Sequence, residues 1–436
     1  MPELVLPGSP TASVTPTPFS RLLHAACLAL GVLAWCRLGP AYGEILKPGP
    51  EASPDFYQDW ASARNFRIGM PVYSRHEFTM PIHLGREQQD WEQDIQYNAH
   101  PPTSVLLAMP FSYLNLPEAV LAWNLLTIAA LIGALGIVAA SLPELRTLFL
   151  PVAVFLPFCL PIYGNFQQGQ LTLVLVLLTT AAWALERSER PIFAGILIGA
   201  AASVKLFPAY LLVYLAARRQ WRGVLAAGLT MALLAAVTAA VLGISTYRDY
   251  GTIVLPSLER FRSYAFNHSF AGFWHKLFDP SSERGWVAAV WPSPVLARWG
   301  TIVSDVIITA MVSAHAYRAR SRDSADLAFA MTATAMLLVS PITWDYSLPM
   351  LIVPIAVAAR SAMTAPWLGA SLLPILIVFG LPQSTLLAWA LAHRTPGPAT
   401  PGFILGMPSL VFYAMAAMFV ALTVRAAGVV KSAPSA

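Results

Sequence analysis

Charge and cysteine are what this sequence has least of. Only 11% of its 436 residues are charged while 57% are hydrophobic, so the polar shell that a large soluble globule needs is missing. Lipid is the solvent such a composition suits. The three cysteines, Cys27, Cys36 and Cys159, all fall inside apolar runs, which supports neither a disulfide framework nor a cysteine metal site. A basic stripe interleaved with aromatics is also lacking. The arginines behind the net charge of +5 cluster at the ends of apolar runs, so topology explains them and a nucleic-acid partner is not expected. No internal repeat pairs two halves of the chain, which argues weakly against repeat-built transporters.

Apolar runs are what the sequence has most of. They recur from Arg21 to Arg425, each near the roughly 20 residues an α-helix needs to cross the hydrocarbon core. They predict an all-α polytopic membrane helical bundle with about ten or eleven spanning segments. The first run, Leu22 to Leu38, has no A-x-A-like cleavage site before Gly39-Pro40 and reads as a spanning helix. Short basic connections carry Arg146, then Arg187 with Arg190, then Arg218, Arg219 and Arg222, then Arg318, Arg320 and Arg322, then Arg360. The positive-inside rule assigns them to the cytoplasm. Two long segments, near 42–117 and 244–300, then lie outside, and the first is acidic. Spans are expected near 21–41, 118–141, 147–163, 170–185, 221–243, 301–317, 325–341, 347–360, 366–391 and 403–425. Residues 1–20 read as a disordered cytoplasmic N-terminus, 21–430 as a single membrane-embedded domain, and 431–436 as a disordered tail.

One run does not alternate. Pro191 to Ala217 has arginines of the same side at both ends, and Lys205-Leu206-Phe207-Pro208 puts a charge and a helix-breaking proline in its middle. It is expected to turn back as a re-entrant hairpin with Lys205 at its tip. Pro101 to Leu116 is too short to cross and is expected as a helix at the outer leaflet.

Several polar residues then gather on the outer side. Asp55 and Asp59 lie four apart, on one face of a helix. A partly desolvated carboxylate there suits a general base, although an N-cap would use the same residue type. Lys205 is costly in a membrane and asks for an anionic partner or a route to the interface. Gln167, Gln168 and Gln170 form a polar turn, while Asn267 and His268 sit in the second outer segment.

The order of short motifs resembles a known family. Asp55-Phe56 with Trp60 and Ala63, Gly69-Met70-Pro71-Val72-Tyr73, and Tyr97-Asn98-Ala99-His100-Pro101-Pro102 come first. Gly169-Gln170, Gly195 to Lys205 with Pro208, Arg218-Arg219 with Trp221-Arg222, Asn267-His268-Ser269 and Ser340-Pro341-Ile342-Thr343-Trp344 follow. Together they look like the polyprenyl-phosphate-mannose-dependent transferases of glycosyltransferase family 87, of the GT-C structural class. The likeness implies a GT-C bundle working on the outer face of the cell inner (plasma) membrane. It implies a catalytic domain that moves a sugar, mannose by family default, from a polyprenyl monophosphate donor to a glycolipid or glycan acceptor. Neither cofactor nor metal is implied, and no D-x-D motif occurs in the outer segments.

By the same likeness Asp55 is the catalytic base, with Asp59 as a second acid. Lys205, Asn267, His268 and Gln170 are expected to bind donor phosphate or sugar, and Tyr97, His100, Trp344 and Asp345 to contact acceptor or donor. The chain departs from the family after Trp344, where paired histidines are common and Asp345-Tyr346 stands. A transporter or flippase of lipid-linked sugars is the competing reading, and it would line a midplane path open to both sides.

Overall fold

A computed structural model of the chain describes residues 18–49, 52, 54–89, 96–279, 289–393 and 405–432. The expected disorder of the N-terminus and of the tail falls largely outside these residues. Helix α1 already begins at Pro18, and the last helix runs to Ser432.

Among the described residues the secondary structure is helical, without strands. Helix α1 (Pro18–Leu46) is followed by the short α2 (Phe56–Arg67), α3 (His76–Leu84) and α4 (Pro102–Ala108). Long helix α5 (Leu116–Ser141) starts where the Asn115 side chain accepts from the Glu118 N–H at 3.0 Å. Helices α6 (Arg146–Phe155) and α7 (Leu160–Gln168) are bent by 59° across a break rich in proline. Next come α8 (Thr172–Arg187), α9 (Pro191–Val204), α10 (Leu211–Ala217) and α11 (Trp221–Leu242). The second long connection holds α12 (Ile244–Asp249), α13 (Leu255–Ser257) and α14 (Phe270–Phe278). The chain ends with α15 (Pro294–Arg318), α16 (Arg322–Val339), α17 (Ile352–Ala362), α18 (Pro366–Gly380), α19 (Gln383–Ala392) and α20 (Leu410–Ser432).

Four helices among the described residues are long and apolar enough to cross a membrane, five if the bent pair is one span. Pro349 lies within the 3₁₀ turn that precedes α17, and Pro374 lies inside α18, which is 15 residues long.

The chain turns back at Lys205, as expected. Lys205 leaves helical geometry (φ −148°, ψ 132°), and a 3₁₀ turn over Phe207–Tyr210 leads into α10. The two ends of this hairpin meet, because the Pro191 carbonyl lies beside Gly223 at the start of α11. Helices α9 and α11 touch backbone to backbone: a Cβ on Gly195 would stand 2.0 Å from the Gly223 carbonyl oxygen. Small residues at four-residue spacing permit this approach.

The basic connections converge at one end of the bundle. Arg187 pairs with Asp326 at 3.0 Å, Arg218 with Glu186 at 3.1 Å, and Arg360 with Asp323 at 2.8 Å and Glu144 at 3.2 Å. The Trp183 indole N–H and the Gln220 amide add 2.9 Å bonds to Asp326 and Glu186. Five connections distant in sequence are thereby tied together at that end.

Candidate active site

The opposite end is open. A cavity of about 1000 Å³ is lined there by Asp55, Lys205, Gln168, Gln170, Asp345 and Tyr346, with Tyr97, His100 and Trp344 around them. Sequence positions 55, 97, 99, 100, 168, 170, 205 and 344–346 thus share one chamber.

Asp55 stands at the start of α2, and its carboxylate makes no capping bond. The Asp55 N–H donates to Gln168 Oε1 at 3.3 Å, and Gln170 Nε2 donates to Asp55 Oδ2. Gly169 makes this grip possible. It ends α7 with φ 59°, and a Cβ there would sit 2.7 Å from Phe56 Cβ. Phe56 in turn stacks on Trp123 with centroids 4.9 Å apart. The half-buried Asp55 carboxyl is pushed up by burial, while His100, Lys205 and the Gln170 hydrogen bond act against that rise.

Asp59 faces away from the cavity. It is 1% exposed, and its oxygens accept from His100 Nδ1 at 2.7 Å, Ser104 Oγ at 2.6 Å and Asn98 Nδ2 at 3.1 Å. Burial would raise this carboxyl, but the His100 charge and the bonds from His100, Ser104 and Asn98 outweigh it and hold it below the usual range.

Lys205 sits at the hairpin tip with its Nζ 5.7 Å from the Tyr346 ring centroid and 5.8 Å from that of Phe207. Among the described residues no carboxylate lies within ion-pair distance of it. Its ammonium is therefore offered to the cavity.

The Asn267-His268-Ser269 and Ser340-to-Trp344 motifs form one unit. Asn267 Nδ2 donates to the Pro341 carbonyl at 2.9 Å, and its Oδ1 accepts from the Thr343 N–H at 3.0 Å. The His268 N–H donates to the Thr343 carbonyl at 2.8 Å, a backbone pairing that ties the two motifs edge to edge. Asn267, expected to contact the donor, is fully buried and is not among the residues that line the cavity, and its amide ties the two motifs together. His268 is 1% exposed and reaches the chamber only through Asp345, whose Oδ1 lies 2.7 Å from His268 Nε2. Lys276 fixes the same loop: its buried Nζ donates to the carbonyls of Asn267 at 3.1 Å, Ala265 at 3.2 Å and Pro408 at 3.2 Å.

Sequence reasoning missed Arg260 and Arg262, which line the cavity from the second long connection. Arg262 pairs with Glu259 at 2.7 Å. A signal was available, since these are arginines in a segment that the positive-inside reading assigns to the outer side, where few are expected. An aromatic shelf of Phe261, Tyr264 and Trp344, with Tyr264 and Trp344 centroids 5.3 Å apart, lies beside them.

Residues 98–341 match glycosyltransferase family 87. A polyprenol-phosphate-mannose-dependent alpha-(1-2)-phosphatidylinositol mannoside mannosyltransferase of Mycobacterium tuberculosis is 28% identical over 343 residues, covering 74% of this chain and 71% of its own length. One of the same description from Mycolicibacterium smegmatis is 27% identical over 368 residues, covering 69% of this chain and 80% of its own length. No solved structure matches the chain. With more than half of its residues inside the family match and an open polar chamber at one end of an apolar helical bundle, the chain belongs to glycosyltransferase family 87 and is a membrane glycosyltransferase.

Proposed function

We propose that this enzyme transfers mannose from a polyprenyl monophosphate carrier to a glycolipid acceptor of the phosphatidylinositol mannoside kind, at the outer face of the plasma membrane. Asp55 is the general base. An acceptor hydroxyl attacks the anomeric carbon as the bond from that carbon to the phosphate oxygen breaks. The hydroxyl proton passes to Asp55, and the bonding pair leaves with the phosphate. A single displacement inverts the anomeric configuration. The phosphate is a good leaving group and gains one negative charge, which Lys205 offsets at close range.

The observation that carries this reading is the shared chamber. A half-buried carboxylate held by Gln168 and Gln170 opens on the same space as an ammonium with no ion-pair partner among the described residues. In this reading the bundle has about ten or eleven spanning segments in the GT-C arrangement, the face of paired arginines is cytoplasmic, and the chamber is periplasmic. The ion pairs that tie the arginine face together support an enzyme over a transporter, which has to open at that end. Asp345, oriented by His268, suits recognition of sugar hydroxyls, and Trp344 offers a ring on which a sugar can stack.

The test is donor choice. Membranes carrying the protein, supplied with radiolabelled mannose on a synthetic polyprenyl phosphate, are expected to label phosphatidylinositol mannosides, whereas GDP-mannose with polyprenyl-phosphate-mannose synthesis blocked is not. Labelling from GDP-mannose under that block, with none from the polyprenyl-phosphate donor, would rule the lipid donor out.

A further inference from the structure

Two arginines in the chamber wall have no part in the transfer step above. Arg260 and Arg262 belong to the second long connection and line the same cavity as Asp55 and Lys205. We propose that they form a second anion site, which holds the phosphodiester of the acceptor lipid while Lys205 meets the donor phosphate. The proposal rests on the reading of the acceptor as a glycolipid of the phosphatidylinositol mannoside kind.

Both arginines are built into the wall. Arg260 lies within the 3₁₀ turn Glu259–Phe261, with its guanidinium 5.0 Å from the centroid of the Phe261 ring. The Arg262 carbonyl accepts from Asn267 Nδ2 at 3.0 Å, and the same buried amide donates to the Pro341 carbonyl at 2.9 Å. The backbone that carries Arg262 is therefore fastened to the motif that leads into Trp344 and Asp345. Rings join the two stretches as well: Phe261 meets Trp344 edge to face with centroids 6.0 Å apart, and Tyr264 meets it at 5.3 Å. A sugar chain stacked on this shelf and bonded to Asp345 would have the guanidiniums beside it on the same unit.

The charge of the site and its surroundings both suit a lipid phosphate. Two guanidiniums stand against one carboxylate, Glu259, which pairs with Arg262 at 2.7 Å. That pair is open to water, with 38% of the Arg262 side chain and 58% of Glu259 exposed, so it is weak and can yield Arg262 to an incoming anion. Arginine matches a phosphodiester because its planar fork reaches two phosphate oxygens at once. The preceding stretch is apolar and uncovered: Ile253 and Leu255 are exposed, as suits a segment lying against lipid, and Leu255 also lines the cavity. A lipid with its acyl chains in the outer leaflet would thus bring its phosphate to the arginines and its glycan into the chamber. The acceptor is the substrate of that shape, since sugars separate its phosphate from the reacting hydroxyl. The donor phosphate is bonded to the reacting carbon and has to stand where Asp55 receives the proton.

The experiment compares two acceptors, using the purified full-length enzyme and synthetic polyprenyl-phosphate-mannose. One is a phosphatidylinositol mannoside; the other is an alkyl mannoside that ends in the same sugars and carries no phosphate. The wild type is expected to favour the phosphorylated acceptor about tenfold in kcat/KM, as a charge-assisted hydrogen bond provides. In the Arg260→Gln, Arg262→Gln double variant that preference is expected to disappear through a raised KM for the phosphorylated acceptor. The KM values for the neutral acceptor and for the donor are expected to stay within about twofold. Equal losses on both acceptors, or a loss expressed in donor KM, would overturn the proposal. Glu259→Gln is the second variant, for the case in which the double variant does not fold. It removes the carboxylate that competes for Arg262, so the KM for the phosphorylated acceptor is expected to fall about twofold to fivefold. An unchanged or higher KM there would overturn the proposal too. Two failures are separable: a wild type that uses the phosphatidylinositol mannoside without preferring it ends only the present proposal, whereas one that uses the neutral acceptor alone ends the acceptor reading itself.

Discussion

Gly195→Ala tests how the hairpin carries Lys205 into the cavity. The added Cβ would lie 2.0 Å from the Gly223 carbonyl oxygen, 2.7 Å from its carbon and 2.9 Å from its Cα. A non-bonded contact is comfortable near about 3.5 Å, so the helices have to separate by about 1.5 Å. The obstacle is backbone and no rotamer change relieves it. Overpacking of this kind costs about 1–3 kcal/mol. Helix α9 ends at Lys205, so its displacement moves the ammonium as well. The expected result is a lower melting temperature in detergent and a donor KM raised several-fold. Gly228→Ala is the control, because a Cβ there meets nothing within 4 Å and alanine favours the helix. A Gly195→Ala protein with wild-type melting and wild-type donor KM would refute the packing argument.

Lys205→Gln is expected to raise donor KM by about tenfold to a hundredfold, the worth of a hydrogen bond to a charged group, with acceptor KM little changed in steady-state transfer assays. Asp345→Asn is expected to act on the other substrate, raising acceptor KM about tenfold while leaving donor KM alone; parallel titrations of the two substrates check it. Lys276→Met leaves the carbonyls of Ala265, Asn267 and Pro408 without their shared donor. At about 1 kcal/mol for each unsatisfied group, a loss of about 3 kcal/mol is expected, read as a drop in melting temperature.

The sidedness of the molecule was legible in the sequence. Arginines at 187, 218 and 360 read as one face from their spacing between apolar runs, and the structure joins them through Asp326, Glu186 and Asp323. The turn at Lys205 was legible for the same kind of reason, since a charge followed by Phe207-Pro208 cannot continue a helix in lipid. What the sequence conceals is which polar side chain faces inward. Asp55 and Asp59 share a helix face by spacing, yet only Asp55 opens on the cavity, because Asn98, His100 and Ser104 from a distant segment enclose Asp59. The bonds of Asn267 are hidden from the sequence in the same way: spacing puts it in a loop between apolar runs, while its amide donates to the carbonyls of Arg262 and Pro341. Arg260 and Arg262 escaped notice because a net-charge pattern read for topology passes over single residues on the minority side.

The most direct measurement is transfer of radiolabelled mannose from polyprenyl-phosphate-mannose by Asp55→Asn, with donor binding followed separately. Loss of the general base is expected to reduce kcat by about a hundredfold to ten-thousandfold, with donor still bound. In the wild type, kcat/KM is expected to fall on acidification at a pH above the ordinary carboxylate range, because burial raises Asp55 and the base works only while ionised. An Asp55→Asn enzyme that transfers mannose at near wild-type rate would contradict the assignment of Asp55 as the base.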